Sequence, residues 1–242
     1  MRLAIISDIH SNLEALTAVL KKIEAENIDK IICLGDVVGY GPDPNACVEL
    51  VQKQCEIIIT GNHDFACIDT SELLYFTQYA EKAIEWTLTE ISKDNLSLIS
   101  KFPIDSRIDN CYLVHANAHD PRSWGYVLSR EEAIYNFSKF TEQICFIGHS
   151  HRPIIYIENN DSNYNVKSNQ QIQLDPGSRY IINVGSVGQP RDGNPNSAFG
   201  ILDVTNQSYE LKRVSYDIKK TYEKIMSVGL PQFLAERLFA GR

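Results

Sequence analysis

Residues 3–10 read LAIISDIH, residues 30–36 read KIICLGD, and residues 57–64 read IIITGNHD. Each segment is a short apolar run that ends in a polar cluster containing an aspartate. Apolar residues at helical spacing fill the intervals, at 12–27 and 45–53. Near-continuous apolar strands separated by helices are typical of a parallel sheet covered on both faces. These residues therefore predict an α/β fold.

The rest of the chain continues this pattern and then changes character. A helical pattern covers 70–100, and strand, helix and strand follow at 111–114, 131–140 and 144–147. Later strands are predicted at 154–158, 171–174, 180–184, 198–203 and 208–214, with a loop at 159–170 and a helical tail at 217–239 broken by Gly229 and Pro231. The sequence shows no repeat and no interdomain linker, so we expect its 242 residues to form a single domain, 1–242.

Composition and charge restrict the classes of partner. Apolar residues make up 43% and charged residues 22%, which is an ordinary balance for a globular protein. The net charge is −8 and the basic residues are scattered, which argues against a broad electrostatic grip on nucleic acid. An anionic substrate remains compatible with this charge, because bound divalent cations would reverse it locally.

The sequence also predicts a compartment. The N-terminal residues lack the long apolar region of a signal peptide, and no apolar run approaches the roughly 18 residues that span a bilayer. The six cysteines show no CxxC pair, and Cys33, Cys111 and Cys145 lie in apolar strand-like runs. We therefore expect a cytoplasmic protein without membrane association, in a reducing environment.

Five predicted strands end in clusters of Asp, Asn and His. The clusters contain Asp8 and His10; Asp36; Asn62, His63 and Asp64; His115; and His149 and His151. The carboxyl ends of the strands in an open α/β sheet share one edge, so we expect these side chains to meet in one cleft. Imidazole and carboxylate together favour Zn, Mn, Fe or Co over Ca, which prefers oxygen ligands only.

In this order, the five clusters resemble the motif set of the calcineurin-like metallophosphoesterases across residues 1–152. The segment 183–191, NVGSVGQPR, resembles a small-molecule phosphodiesterase branch of that superfamily, which is related to the diadenosine tetraphosphatases. Val184 departs from the Asn-Pro-Gly-Ser that this branch often has at that point. The resemblance implies the metallophosphoesterase fold, a four-layer α/β/β/α sandwich with two mixed β-sheets.

The resemblance also assigns roles to residues. It implies that one divalent ion is held by Asp8, His10, Asp36 and His151, and a second by Asp36, Asn62, His115 and His149. Two such ions would provide a hydroxide that attacks phosphorus at neutral pH. His63 would act as general acid or phosphate donor, and Asp64 would orient His63 and raise its pKa. Mn, Fe, Zn and Co all satisfy such sites, so the metal stays open.

The expected activity is hydrolysis of a small phosphodiester, nucleotide or phosphomonoester, and Arg122 and Arg191 are candidates for binding its phosphate. Surface salt bridging is the alternative role for both arginines. Hydrolysis of dinucleoside polyphosphates is an alternative activity. A protein serine/threonine phosphatase is another alternative. Those enzymes usually continue the second motif as GDxVDRG, whereas residues 35–41 read GDVVGYG, which argues against this alternative. A non-catalytic protein-binding scaffold is the last alternative, and the chain could act as a monomer or a homo-oligomer.

Overall fold

The computed structural model describes residues 1–160, 163–167 and 171–242. The strands within these residues are β1 Arg2–Ile6, β2 Lys30–Cys33, β3 Ile57–Ile58, β4 Asp105–Ile108, β5 Cys111–Val114, β6 Ile144–Ile147, β7 Ile154–Glu158, β8 Tyr164–Lys167, β9 Gln171–Gln173, β10 Arg179–Asn183, β11 Ser197–Asp203 and β12 Ser208–Val214. The helices are α1 Leu13–Glu24, α2 Pro44–Gln54, α3 Asn62–Ala66, α4 Gln78–Glu90, α5 Lys93–Ile99, α6 Arg130–Phe137, α7 Ile218–Ser227 and α8 Gln232–Ala240. Two 3-10 helices lie at Thr70–Tyr75 and Pro121–Ser123.

The strands form two mixed sheets. The first has the order β3-β2-β1-β11-β12-β9, and the second has the order β4-β5-β6-β10-β7-β8. Strands β1, β2 and β3 run parallel, while β11 pairs antiparallel with β1. In the second sheet β5, β6 and β10 run parallel, and β4 and β7 pair antiparallel with this group. The parallel strands, which form one side of the first sheet and the centre of the second, point their carboxyl ends in a common direction within each sheet.

Alternation of side chains along the strands builds the layers. Leu3 and Ile5 point to the second sheet, where they pack in one cluster with Phe146. Ala4 and Ile6 point the other way and share a cluster with Leu16 of α1. Helix α6 covers the outer face of the second sheet. Full burial of one such aliphatic side chain stabilises the fold by about 1.5–3 kcal/mol. The predicted four-layer α/β/β/α sandwich is confirmed.

The helical pattern predicted for 70–100 is confirmed. It is divided into one 3-10 helix and two α-helices, because Thr77 and Ser92 each accept a backbone N–H and thereby begin a new helix. Two other details of the sequence prediction are wrong. Within the predicted loop 159–170, β8 forms a strand paired with β7, while 161–162 and 168–170 lie outside the described residues. Strand β4 was missed, because its sequence DSRI is polar and it lies at a sheet edge.

The two C-terminal helices meet at the break predicted around Gly229 and Pro231. Lys224 of α7 pairs with Glu14 of α1 at 2.9 Å and with Asp43 at 2.6 Å. Leu234 and Leu238 of α8 pack in one cluster with Tyr40. This packing brings the end of the chain beside the loop that follows β2. In the part of the chain that the structure describes, no helix is long and apolar enough to cross a bilayer.

Candidate metal centre

Two overlapping clusters of metal-binding side chains lie at the ends of the central strands. The first contains Asp8, His10, Asp36 and His151, and the second contains Asp36, His115 and His149. Within each cluster, one ligand atom per residue lies within 4.8 Å of the others. The loops that follow β1, β2, β5 and β6 supply these residues. The structure thus brings together six of the seven predicted ligands. The seventh, Asn62, lines a cavity of about 100 Å³ that Asp36, His149 and His151 also line.

The inner atoms of the clusters are close enough to share a cation. His10 Nε2 lies 3.5 Å and His115 Nε2 lies 3.4 Å from the same oxygen of Asp36, Oδ2. His151 Nε2 lies 3.3 Å from Asp8 Oδ1. The two imidazole nitrogens of His10 and His151 are 3.1 Å apart. Asp36 is the residue common to both clusters, which is the geometry expected of a bridging carboxylate.

In three of the cluster histidines, a hydrogen bond at Nδ1 directs Nε2 toward the metal-binding cluster. Nδ1 of His10 lies 3.1 Å from the Val38 carbonyl oxygen, and Nδ1 of His115 lies 2.8 Å from that of Leu34. His151 Nδ1 makes the same kind of contact, at 2.6 Å, with a backbone carbonyl oxygen. A carbonyl oxygen only accepts, so each Nδ1 carries a proton, and in the neutral imidazole Nε2 keeps the lone pair. Metal-ligating histidines are held in this way.

The backbone at the clusters is strained. Asp8, His10, Asp36, His149 and His151 all have positive φ, between 51° and 63°. Such a conformation costs an L residue with a side chain about 1–2 kcal/mol. Strain of this kind persists where the surrounding structure imposes it, and it concentrates at functional sites.

Several buried polar atoms in the clusters have no partner within the described residues. They include Asn62 Oδ1, His115 Nε2 and His149 Nε2. A buried acceptor left without a hydrogen bond costs about 1–3 kcal/mol. Lone pairs from imidazole, amide and carboxylate are the donors that Zn, Mn, Fe and Co accept. The donor set therefore fits a divalent cation, while the assignment of each residue to a particular ion stays a prediction.

Burial and neighbouring charges set the protonation states of the cluster residues. Burial lowers the pKa of His149 to about 3 and lowers the pKa of His10, which leaves both imidazoles neutral. Burial opposes the charge on Asp36, but His115 and His63 nearby hold its pKa well below the usual range. Burial likewise opposes the charge on His115, but Asp36 raises the pKa of that imidazole to about 9, so His115 has to lose its second proton when a cation binds.

Gly61 and the segment 183–191 allow the loops that carry the ligands to pack closely together. A Cβ at Gly61 would overlap both the carboxylate and the backbone nitrogen of Asp36. The predicted extension 183–191 closes the site from the other side. In this segment Ser186 Oγ donates to the Asp8 carbonyl oxygen at 2.8 Å, and Asn183 Nδ2 donates to that of Gly148 at 2.5 Å.

The structure corrects the predicted role of Asp64. Its Oδ1 accepts the backbone N–H groups of Val37 and Val38, and its Oδ2 accepts that of Gly61. These bonds occupy the carboxylate with the backbone of neighbouring loops, so it does not orient the His63 imidazole. Burial lowers the pKa of His63 to about 4, whereas we expected a raised value. His63 itself lies in the cavity wall, with its ring centre 4.8 Å from that of His10.

The two candidate arginines lie beside different cavities. Arg191 lines the cavity of about 100 Å³ that contains Asp36 and His63, and its guanidinium donates to Gln189 Oε1. Arg122 lines a neighbouring cleft of about 450 Å³. Neither arginine makes a salt bridge with a carboxylate of the described ranges. The alternative surface role is therefore not observed, and phosphate binding stays a prediction.

Two tyrosines at the site were missed by the sequence analysis. The ring of Tyr40 lies 4.6 Å from His10 and 4.5 Å from His63. The ring of Tyr126 stacks on His149 at 4.1 Å. Tyr40 stands between two glycines in the segment directly after Asp36, a position that could have drawn attention to it. No comparable signal marks Tyr126, which lies in a loop without a motif.

Comparisons with known proteins agree with this geometry. A family model described as the calcineurin-like phosphoesterase superfamily domain matches residues 1–207. An uncharacterised protein from Methanocaldococcus jannaschii is 42% identical over 245 residues, covering 99% of this chain and 98% of that protein. The crystal structure of a metallophosphoesterase from Sphaerobacter thermophilus superposes with a TM-score of 0.88 and 36% identity, with 100% of both chains covered. A hypothetical protein from Pyrococcus horikoshii shares the fold, with a TM-score of 0.82 and 18% identity over 100% of this chain and 98% of that one.

Proposed function

Because this chain belongs to the calcineurin-like phosphoesterase superfamily, we propose that it is a dinuclear metal-dependent hydrolase of small phosphoesters. The substrate would be a small phosphodiester, a nucleotide or a phosphomonoester. The observation that carries the proposal is the pair of buried ligand clusters that share Asp36. A single carboxylate common to two donor sets is what a two-ion phosphoryl clamp requires.

The residues that would hold the ions follow from the clusters. Asp8, His10, Asp36 and His151 would hold one divalent ion, and Asp36, Asn62, His115 and His149 the other; Mn, Fe, Zn or Co would satisfy both sets. When bound, such ions supply Lewis acidity and lower the pKa of solvent toward roughly 7. The protein's own contribution is to keep each ligand in place, and the carbonyl contacts to Nδ1 do so for three of the imidazoles.

Two side chains in the cavity wall could act on the phosphoryl group, and a third limits the space beside them. Arg191 has no carboxylate partner among the described residues, so its guanidinium can pair with phosphoryl oxygens. His63 Nδ1 lies against Gly39, which leaves Nε2 as the atom that can face the cavity. A proton on Nε2 would be donated to a phosphoryl oxygen or to the leaving oxygen. Tyr126 would limit the cavity from the side of His149.

The small cavity favours a small substrate over a macromolecule. The cavity beside the ligand clusters has a volume of only about 100 Å³. The scattered basic residues and the net charge of −8 offer no broad surface for nucleic acid. A scaffold without activity would not need a strained backbone at two buried ligand clusters that share a carboxylate.

Turnover of two chromogenic esters tests the proposal. Purified protein loaded with Mn²⁺ is assayed with bis-p-nitrophenyl phosphate and p-nitrophenyl phosphate, and its metal content is measured in the same preparation. We expect hydrolysis of at least one ester, and loss of that activity on chelation. Absence of turnover of both esters by protein that demonstrably holds metal would refute the proposed function.

A further inference from the structure

An aromatic cleft of about 450 Å³ adjoins the small metal cavity. Four aromatic residues line it: Tyr75, Phe76, Trp124 and Tyr126. Its size falls in the range of cavities that bind small organic ligands, about 300–1,000 Å³. The side chains proposed to act on the phosphoryl group, Arg191 and His63, line the smaller cavity and do not line this cleft.

The cleft is continuous with the metal cavity. Asn62, Tyr75, Phe76, Tyr126 and His149 line both spaces. Tyr126 stands at the boundary, where its ring stacks on that of His149 at 4.1 Å. A group bound in the cleft could therefore be covalently attached to a phosphate that lies among the metal ligands.

The walls of the cleft have surfaces that a flat ring would cover. The side chain of Tyr75 is 85% exposed although it stands at the mouth of the site. Aromatic faces are the surfaces on which nucleobases stack in many proteins, because every base has a π-face.

Two charged side chains lie in the wall beside the aromatic rings. Arg122 and Glu72 both line the cleft, and neither takes part in an ion pair within residues 1–160, 163–167 and 171–242. The Arg122 guanidinium lies 5.7 Å from the centre of the Phe65 ring, so it is held near the wall. Arginine donates hydrogen bonds and glutamate accepts them, and the polar edge of a base offers both kinds of partner.

We propose that the aromatic cleft binds the base of a nucleoside phosphoester whose phosphate lies at the metal centre. This inference rests on the proposed function and specifies its substrate class. Tyr75 supplies a stacking face, while Arg122 and Glu72 bond the edge of the base. This gives Arg122 a role different from the phosphate binding expected from the sequence. In the reaction water adds to phosphorus, the bond from phosphorus to the leaving oxygen breaks, and that oxygen keeps the bonding electrons and receives a proton.

Two ligands that differ only in the base test this proposal. Adenosine 5′-monophosphate and ribose 5-phosphate are titrated by calorimetry into the Mn²⁺-loaded His63→Gln protein, which is expected to bind metal with strongly reduced turnover, and their Kd values are compared. We expect the nucleotide to bind at least about tenfold more tightly, the contribution typical of one stacked base. Equal Kd values would overturn the inference. This outcome is separate from a failure of ester turnover, because binding is measured directly.

Three variants test whether the tighter binding of the nucleotide depends on the cleft. Tyr75→Ala is expected to reduce the ratio of the two Kd values by about fivefold or more, and Tyr75→Phe to preserve it, because the ring stacks without its hydroxyl. Leu74→Ala is the matched control, since Leu74 is equally exposed, at 85%, but does not line the cleft. A Tyr75→Ala variant that keeps the wild-type ratio would refute the assignment.

A phenyl ester distinguishes a nucleobase from aromatic rings in general. Phenyl phosphate presents a flat ring without donors or acceptors at its edge, so Arg122 and Glu72 have nothing to bond. We expect phenyl phosphate to bind more weakly than adenosine 5′-monophosphate. Equal or tighter binding of phenyl phosphate would overturn the assignment to a nucleobase.

Discussion

Replacement of Asp36 by Asn tests the metal centre most directly. The change removes one charge and little volume, and asparagine keeps the oxygen that accepts the His63 backbone N–H at 2.8 Å. Because both ligand clusters contain Asp36, the variant weakens two predicted ion sites at once while the loops stay bonded. We therefore expect a folded protein with strongly reduced affinity for metal.

The magnitude follows from the linkage between binding and folding. At a Mn²⁺ concentration of 100 times its Kd, the wild-type protein gains about 2.7 kcal/mol of unfolding free energy. For a chain of this size that gain raises Tm by about 5–11 °C. Loss of a hydrogen-bond partner behind a metal ligand typically weakens binding 10–100-fold, so loss of the charged ligand itself should cost at least about 100-fold. The same Mn²⁺ then yields only about 0.4 kcal/mol, or about 1–2 °C.

The assay is thermal unfolding with and without Mn²⁺, together with turnover of bis-p-nitrophenyl phosphate. We expect turnover of the Asp36→Asn protein to fall at least about 100-fold. Asp217→Asn is the control, because Asp217 is an exposed helix N-cap and asparagine caps helices equally well. A folded Asp36→Asn protein that keeps the full Mn²⁺-induced rise in Tm and full turnover would refute the bridging role.

Three further predictions concern the loops and the helices around the site. Gly61→Ala should abolish turnover of bis-p-nitrophenyl phosphate, because the added Cβ would overlap the carboxylate of Asp36. Gly229→Ala is the control: Gly229 has a φ of +76° and open space around it, so the change should cost about 1 kcal/mol of stability and leave turnover unchanged. An active Gly61→Ala enzyme would contradict this account of the site. His63→Gln should lower turnover by about 10²–10⁴-fold and keep the Mn²⁺-induced rise in Tm, because His63 belongs to neither ligand cluster; loss of that rise would instead make His63 a ligand. Burial opposes the charge on Glu14, but its bond to Lys224 holds the pKa of Glu14 below the ordinary value. The stabilisation from Glu14 is therefore present above its unfolded pKa of about 4.3 and is lost as the pH falls through the lowered folded value. The Tm difference between the wild type and Glu14→Gln should accordingly shrink from pH 7 to about pH 3. A Tm difference independent of pH would contradict the ion pair.

The hydrogen-bond network behind the site could not be predicted from local sequence. His10 Nδ1 contacts the carbonyl of Val38 and His151 Nδ1 contacts that of Gln189, which lie 28 and 38 residues away in sequence. Asp64 shows the same limitation, since its neighbour in sequence was His63 but its partners in space are backbone N–H groups. A hydrogen bond needs a partner at about 3 Å, and the sequence alone does not report that distance.

The sequence by itself determined the α/β architecture and the identity of the residues that meet at the strand ends. It could do so because apolar strands and helices have different periods, and because the carboxyl ends of parallel strands share an edge. Only the tertiary structure decided which ring nitrogens face inward, where Tyr40 and Tyr126 pack, and that an aromatic cleft opens beside the clusters. These features arise where loops from distant segments pack together, and such packing leaves no period in the sequence.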